Sequence, residues 1–312
     1  MKTLLKIVFF LSCLISCQSN DSNSDLNLNH LKYFGFTLID VGWDDPLDAE
    51  PKTNYLDEIA DFSNIADLLV INPNDNIISR LNKMESYDIK TVLHLHEIFF
   101  EQTGTNSQSG TEYNLRSDYK NRWNIFLETN DLQNNIDKIQ AFYIGEEPTW
   151  NGISFNELKS ATDYVKATIP VIPILMIEAS VILHELEIPN SVDWVGFDHY
   201  FIKDPKNNSQ FLKELSLLKS KLVNENQKLV LVMDTHFIKE IHQGIYGISQ
   251  NDMEAVADSY YELAKTEEKV IALIGYTWPG GFDTSEALGA RQLPEDVKET
   301  YIRIGKEIIK KN

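Results

Sequence analysis

The chain predicts an α/β fold, a single-domain (β/α)8 barrel, on three observations. From residue 33 onward, eight short apolar runs alternate with amphipathic segments, a pattern that demands parallel strands joined by right-handed crossovers. Polar and aromatic residues gather where the apolar runs end, and in a closed barrel those ends share one rim. The turn after the first run, Asp40 to Pro46, holds one glycine, Gly42. An open doubly wound sheet would want a glycine-rich turn there.

The runs fall at 33–40, 68–71, 91–96, 141–145, 172–177, 194–197, 229–233 and 271–278. Several are apolar without alternation, as strands buried on both faces must be. Between them, segments 55–62, 77–87, 155–168, 211–223 and 253–266 place apolar residues three and four apart, the helical spacing. Ser154 followed by Glu157 forms a capping box at the start of one of them. Segment 296–309 supplies the closing helix. Trp123, in a helical pattern, and Trp194, in a strand, are expected in the core. Segment 101–112 is rich in Gly, Ser, Thr, Gln and Asn and is expected to be an irregular loop beside a substrate cleft.

The N-terminus differs in kind. Lys2 and Lys6 precede an apolar stretch from Ile7 to Ile15 that is too short to span a bilayer. Leu14-Ile15-Ser16-Cys17 resembles a bacterial lipobox, which implies a signal peptide over 1–16 and lipidation at Cys17. Residues 17–29, rich in Ser, Asn and Asp, read as a flexible tether. The barrel then spans 30–312, on a monomer anchored by lipid at the bacterial cell envelope, at the outer membrane or cell surface. The only other cysteine, Cys13, leaves with the signal, so no disulfide or thiol chemistry is expected. A net charge of −19 argues against nucleic acid as a partner.

The strand ends carry the candidate chemistry. The fourth run passes from Ala141 into Glu146-Glu147-Pro148. The third ends in His94 and His96, the fifth is followed by Glu178, and the sixth ends in Asp198, His199 and Tyr200. The seventh ends in Asp234 with His236 beyond, and the eighth in Tyr276 and Trp278. This set resembles the clan A glycoside hydrolases, the cellulase and mannanase superfamily of (β/α)8 enzymes. Glu146-Glu147-Pro148 is similar to the clan's Asn-Glu-Pro with Glu in place of Asn. Leu93-His94-Leu95-His96 is similar to its strand-three histidine. Tyr200 matches its strand-six tyrosine and Trp278 its strand-eight tryptophan. Asp234 stands where the clan has a nucleophilic Glu.

The resemblance implies a glycosidase acting on a β-linked oligo- or polysaccharide, with no cofactor. Glu147 is the expected acid/base and Asp234 the nucleophile or the base for water, oriented by Tyr200. Two carboxyls suit this chemistry because one protonates the leaving oxygen while the other attacks the anomeric carbon or activates water. Trp43, His96, Glu146, Glu178, His199, Tyr200, His236, Tyr276 and Trp278 are the expected substrate contacts, with Trp150 extending the aromatic platform. Two alternatives stay open. One is a surface lipoprotein that binds glycan through a degenerate barrel. The other is a metal-dependent hydrolase using the histidines and acids of the rim. His30, His184 and His242 are expected in solvent.

Overall fold

The computed structural model describes residues 30–310. The expected signal peptide, the tether and Cys17 lie outside the described residues. Eight strands form the barrel: β1 Tyr33–Phe36, β2 Ile65–Leu69, β3 Lys90–His94, β4 Ile139–Glu146, β5 Ile174–Ala179, β6 Trp194–Asp198, β7 Lys228–Asp234 and β8 Val270–Tyr276. They pair in parallel without a break from β2 round to β8, and β8 pairs with β1.

The seam between β1 and β2 is closed mostly by side chains. Asp67 accepts the backbone N–H groups of Leu38 (3.0 Å) and Ile39 (2.8 Å), and Asn64 accepts that of Phe34 (3.0 Å). Two backbone bonds, from Asn64 to Phe34 (3.0 Å) and from Leu69 to Asp40 (3.2 Å), complete it. Gly35 is required here, because a Cβ at that position would lie 2.1 Å from the Ile65 carbonyl oxygen. Asp67 also explains why the second strand begins at Ile65 rather than at 68: a carboxylate inside the strand interrupts the apolar run.

Side chains alternate along each strand with period two. In β7, Val230 and Val232 join an inner layer with Ile65, Val92, Ala141, Leu175, Ile177, Trp194, Ala272 and Ile274. Leu229, Leu231 and Met233 instead pack outward under the helices. Burying such side chains contributes roughly 1.5–3 kcal/mol each, and this layer fills the barrel beneath the rim.

The helices include Ile78–Ser86, Tyr119–Thr129, Phe155–Thr168, Ser209–Lys221, Asp252–Thr266 and Glu295–Ile309. The capping box at Ser154 forms as expected. The crossover from β5 to β6 carries only a 3-10 turn, Ser180–Ile182. Segment 101–112 is not wholly irregular: Phe100–Gly104 and Glu112–Leu115 pair as an antiparallel hairpin.

Candidate active site

The C-terminal rim encloses a cavity of about 820 Å³. Its wall includes His94, His96, Tyr143, Glu146, Glu147, Trp150, Asp198, Tyr200, Tyr276 and Trp43. Of the expected site residues, the fold thus brings Glu147, Glu146, His96, Trp43, Tyr200 and Tyr276 to one space.

Glu147 sits just past the end of β4 with φ +44°, a left-handed conformation that costs a non-glycine residue of order 1–3 kcal/mol. The surroundings fix it there. Its N–H donates to Ile177 O (2.7 Å), its carbonyl accepts from Asn151 N (2.9 Å), and Asn151 Nδ2 holds the Glu146 carbonyl (3.1 Å). The Glu147 side chain hydrogen-bonds the carboxyl of Asp198. Burial, then the charge of Asp198, then that of Glu146 push its pKa far up. Burial also raises Asp198, which accepts from Tyr200 Oη at 3.3 Å. Two carboxyls this close share a proton, since both cannot ionise at neutral pH.

Glu146 behaves oppositely. His94 Nε2 lies 2.7 Å from its Oε2. Burial alone would raise this carboxyl, but the His94 charge and hydrogen bond hold it down to about 2. One wall therefore presents a protonated acid beside a permanently ionised one. His96 is driven by burial to about 4 and is neutral at pH 7.

Asp234 is placed differently from the expectation of a nucleophile facing substrate. It is 1% exposed and does not line the cavity. Its carboxylate accepts from Phe201 N (2.7 Å) and faces His242 Nε2 (3.2 Å) and His236 Nδ1 (3.1 Å). His236 packs edge-on against Tyr200 (5.2 Å) and Tyr276 (5.4 Å), so Asp234 stands one side chain behind the wall. Against its burial, the charges and hydrogen bonds of the two histidines hold its pKa well below the usual range. Tyr200, expected to orient Asp234, bonds Asp198 instead; the backbone of Phe201 serves Asp234.

Four other expected contacts lie off the cavity wall. Glu178 is fully buried and accepts the N–H groups of Thr149 (2.9 Å), Trp150 (3.3 Å) and Ala179 (3.1 Å). It shapes the loop that presents Glu147 and Trp150. His199 Nδ1 pairs with Glu214 (2.5 Å), and its ring stacks on Phe211 of the outer layer. Trp278 is 5% exposed, donates its indole N–H to Glu58 (2.7 Å), and packs on Phe36 and Phe62. His236 backs the tyrosines without lining the cavity. His242, expected in solvent, is fully buried.

His94, Tyr143, Glu97, Phe282 and Asp283 are wall residues outside the expected contact set. Two-residue spacing from His96 was the available signal for His94. None existed for Phe282 and Asp283, which arrive on the loop after β8.

Asp234, His236 and His242 offer ligand atoms within 4.8 Å of one another, the arrangement a metal would need. The hydrogen bonds do not fit one. Ile238 N–H donates to His242 Nδ1 at 2.9 Å, so in the neutral ring the proton sits on Nε2, the nitrogen facing Asp234. That atom donates a hydrogen bond and has no lone pair for a cation.

No family model and no curated protein matches the chain. Solved structures do. Xylanase 10B from Thermotoga maritima superposes with a TM-score of 0.53 at 13% identity, covering 92% of this chain and 99% of that one. A GH113 beta-1,4-mannanase gives 0.54 at 11% identity, over 88% and 99%. A beta-glucuronidase from an uncultured Clostridium sp. gives 0.57 at 13%, over 88% of this chain and 50% of that one. The structural neighbours are clan A glycoside hydrolase barrels. At such identities the likeness establishes the (β/α)8 fold; the chemistry must come from the site itself.

Proposed function

We propose that this protein is a glycoside hydrolase acting on a β-linked glycan. In this reading Glu147 is the proton donor and Asp198 the second carboxylate. The observation that carries it is Glu147: a strained backbone aims a buried, proton-bearing carboxyl into a cavity walled by aromatic rings. General-acid catalysis needs an acid still protonated at working pH.

The glycosidic oxygen would take the Glu147 proton as the C–O bond breaks. Asp198, released from sharing that proton, is then an anion beside the anomeric carbon. The hydrogen-bonded carboxyls must part to admit a sugar, and the roughly 5–5.5 Å of a retaining pair is a smaller opening than the roughly 6.5–9.5 Å of an inverting one. That favours attack by Asp198 itself, with retention, over the wider inverting arrangement. Trp43, Trp150, Tyr200 and Tyr276 offer faces and edges for sugar rings.

The test is turnover and product stereochemistry on β-linked glucans, xylans and mannans. Asp198→Asn is expected to abolish turnover of every substrate. If Asp198→Asn keeps wild-type turnover while a folded Asp234→Asn loses it, the nucleophile is Asp234. A second reading, glycan binding without turnover, is favoured by the enclosure of Asp234 where the clan keeps its nucleophile. Binding with no product across the panel would establish it. We also place the protein at the cell envelope through lipid on Cys17, on the sequence alone; mass spectrometry of the N-terminal residue in membrane fractions tests this.

A further inference from the structure

The aromatic wall continues beyond the cavity. Tyr276 and Tyr200, both wall residues, stack at 5.0 Å. Phe201 meets Tyr200 edge-on at 6.3 Å, and Tyr246 stacks on Phe201 at 5.3 Å with the two planes 9° apart. Tyr276, Tyr200 and Phe201 are partly buried, whereas Tyr246, the outermost, is 53% exposed. With one face on Phe201, the Tyr246 ring turns its other face to solvent.

Both outer rings are held in place. Phe201 adopts φ +64°, a left-handed conformation that a bulky residue keeps only where its surroundings impose it. Here the bond from its N–H to Asp234 (2.7 Å) and the edge-on packing of its ring with His242 (4.7 Å) do so. Tyr246 lies on the turn after a short helix, Lys239–His242. The N–H groups of Ile245 (2.9 Å) and Tyr246 (3.1 Å) both donate to Ile241 O, and that of Ile248 donates to His242 O (2.7 Å). Gly247 closes the turn at φ +66°. The same turn carries a second exposed apolar side chain, Ile245.

Adjacent apolar side chains on a pinned loop, continuous with a cavity, mark a binding surface. Its size and position restrict the occupant. A stable protein–protein interface buries about 1,200–2,000 Å², far more than one turn offers. The series of rings also leads into the cavity, so the occupant extends from there. A glycan chain meets both demands. A sugar ring lays its C–H face on an aromatic ring and keeps its hydroxyl edge in water, and a platform already fixed in position loses little freedom on binding.

We propose that Tyr246 forms an outer subsite that receives a sugar unit of a glycan chain emerging from the cavity. The inference rests on the glycosidase reading for the glycan, and on the series of rings for the reach.

The test measures chain length apart from turnover. β-1,4-linked oligomers of glucose, xylose and mannose, from the disaccharide to the hexasaccharide, are titrated calorimetrically into the full chain carrying Glu147→Gln. In the series that binds, the longest oligomer is expected to bind roughly tenfold more tightly than the shortest, with the gain arriving as the chain reaches the ring. Adding Tyr246→Ala should remove that gain; Tyr246→Gln is the substitute if that variant fails to fold. Tyr246→Phe should keep it, because the ring face makes the contact. Affinity that does not grow with length, a gain that survives Tyr246→Ala, a gain lost in Tyr246→Phe, or no binding by any series would each overturn the proposal. Wild-type turnover of short and long oligomers at equal kcat/KM sinks the inference and leaves the glycosidase standing. A length gain that depends on Tyr246, without turnover of any oligomer by the wild type, does the reverse.

Discussion

Asp198 and Asp234 end neighbouring strands, β6 and β7, at the same rim, and both fall on the inward parity of their strands. Their environments are opposite. Asp198 lines the cavity, shares a proton with Glu147, and is pushed up by burial and neighbouring acids. Asp234 is enclosed by His236, His242 and the N–H of Phe201 and stays ionised. What separates them is what covers each strand end. Tyr200 and Tyr276 stack on each other at 5.0 Å, and His236 fills the space behind them. An acid walled off by histidines and N–H donors becomes a structural anion. An acid facing another acid across a cavity becomes a proton store.

The largest expected effects test the cavity side of this contrast. Glu147→Gln should lower turnover of natural glycan by roughly 10²–10⁴-fold, the range of general-acid catalysis. It should hurt aryl glycosides with good leaving groups far less. Asp198→Asn should be as severe on both substrate types, with the melting temperature little changed. Steady-state rates on the two substrate types, with a thermal melt of each variant, check both statements. A Glu147→Gln enzyme with near wild-type rates on natural glycan would remove the acid from this pair.

Next in size is the buried side. Asp234→Asn leaves the raised His236 without its anion, and breaking a buried charge pair typically costs about 3–5 kcal/mol. Denaturant unfolding should show that loss, and any fall in activity should follow the folded fraction. A stable Asp234→Asn variant that is inactive on all substrates would reverse the roles assigned to the two acids. The wild-type pair also predicts an acid limb of stability. Asp234 releases its proton at lower pH in the folded chain than in the unfolded one. Its stabilisation is therefore present above the ordinary value of about 3.9 and is lost as pH falls toward the folded one.

The contrast also shows what the sequence could convey. The barrel was legible because eight apolar runs and their crossovers are local patterns, and each acid's height at the rim follows from where its run ends. Cover was not legible. Glu178 follows an inward Ile177 and so takes the outward parity, where it bonds the loop after β4 rather than substrate. Period two predicts that much once the inward set is known. Glu146 has the opposite history: a register shift between Tyr143 and Gly145 lets it join the wall, and no sequence pattern announces it. His242 was unreadable in another way. It sits on a four-residue helix, Lys239–His242, too short to show a periodicity, and its burial depends on Asp234 far away on the strand.

Smaller effects separate the two tryptophans expected to meet sugar. Trp43 lines the cavity, donates its indole N–H to Gly280 O (2.9 Å), and meets Phe282 edge-on. Trp43→Ala should raise KM by roughly tenfold, consistent with ~1.4 kcal/mol of lost ring contact. Trp278→Phe deletes the hydrogen bond to Glu58 at the junction with Arg291 (Nη2 to Oε1, 2.9 Å). It should cost about 1–2 kcal/mol of stability and leave KM alone. A KM change in Trp278→Phe with unchanged melting would put that ring back in the sugar site.

The finest test is the pH dependence of the shared proton. In the folded chain Glu147 keeps its proton to higher pH than in the unfolded chain, because burial and the Asp198 charge disfavour its anion. Between those two values the native state binds more protons, so the Glu147 contribution to stability declines as pH rises through that interval. Activity should fall along the same alkaline limb, because the proton donor is lost there. Asp198→Asn removes one charge of the pair, so in that variant the Glu147 limb should move toward lower pH, read from the pH dependence of unfolding. Asp234→Asn should leave the limb where it is, since the Asp234 charge is absent from the main causes of the Glu147 shift. If the limb instead moves with Asp234 and ignores Asp198, the acid that Glu147 senses is the enclosed one, and the cavity pair is not the unit that titrates.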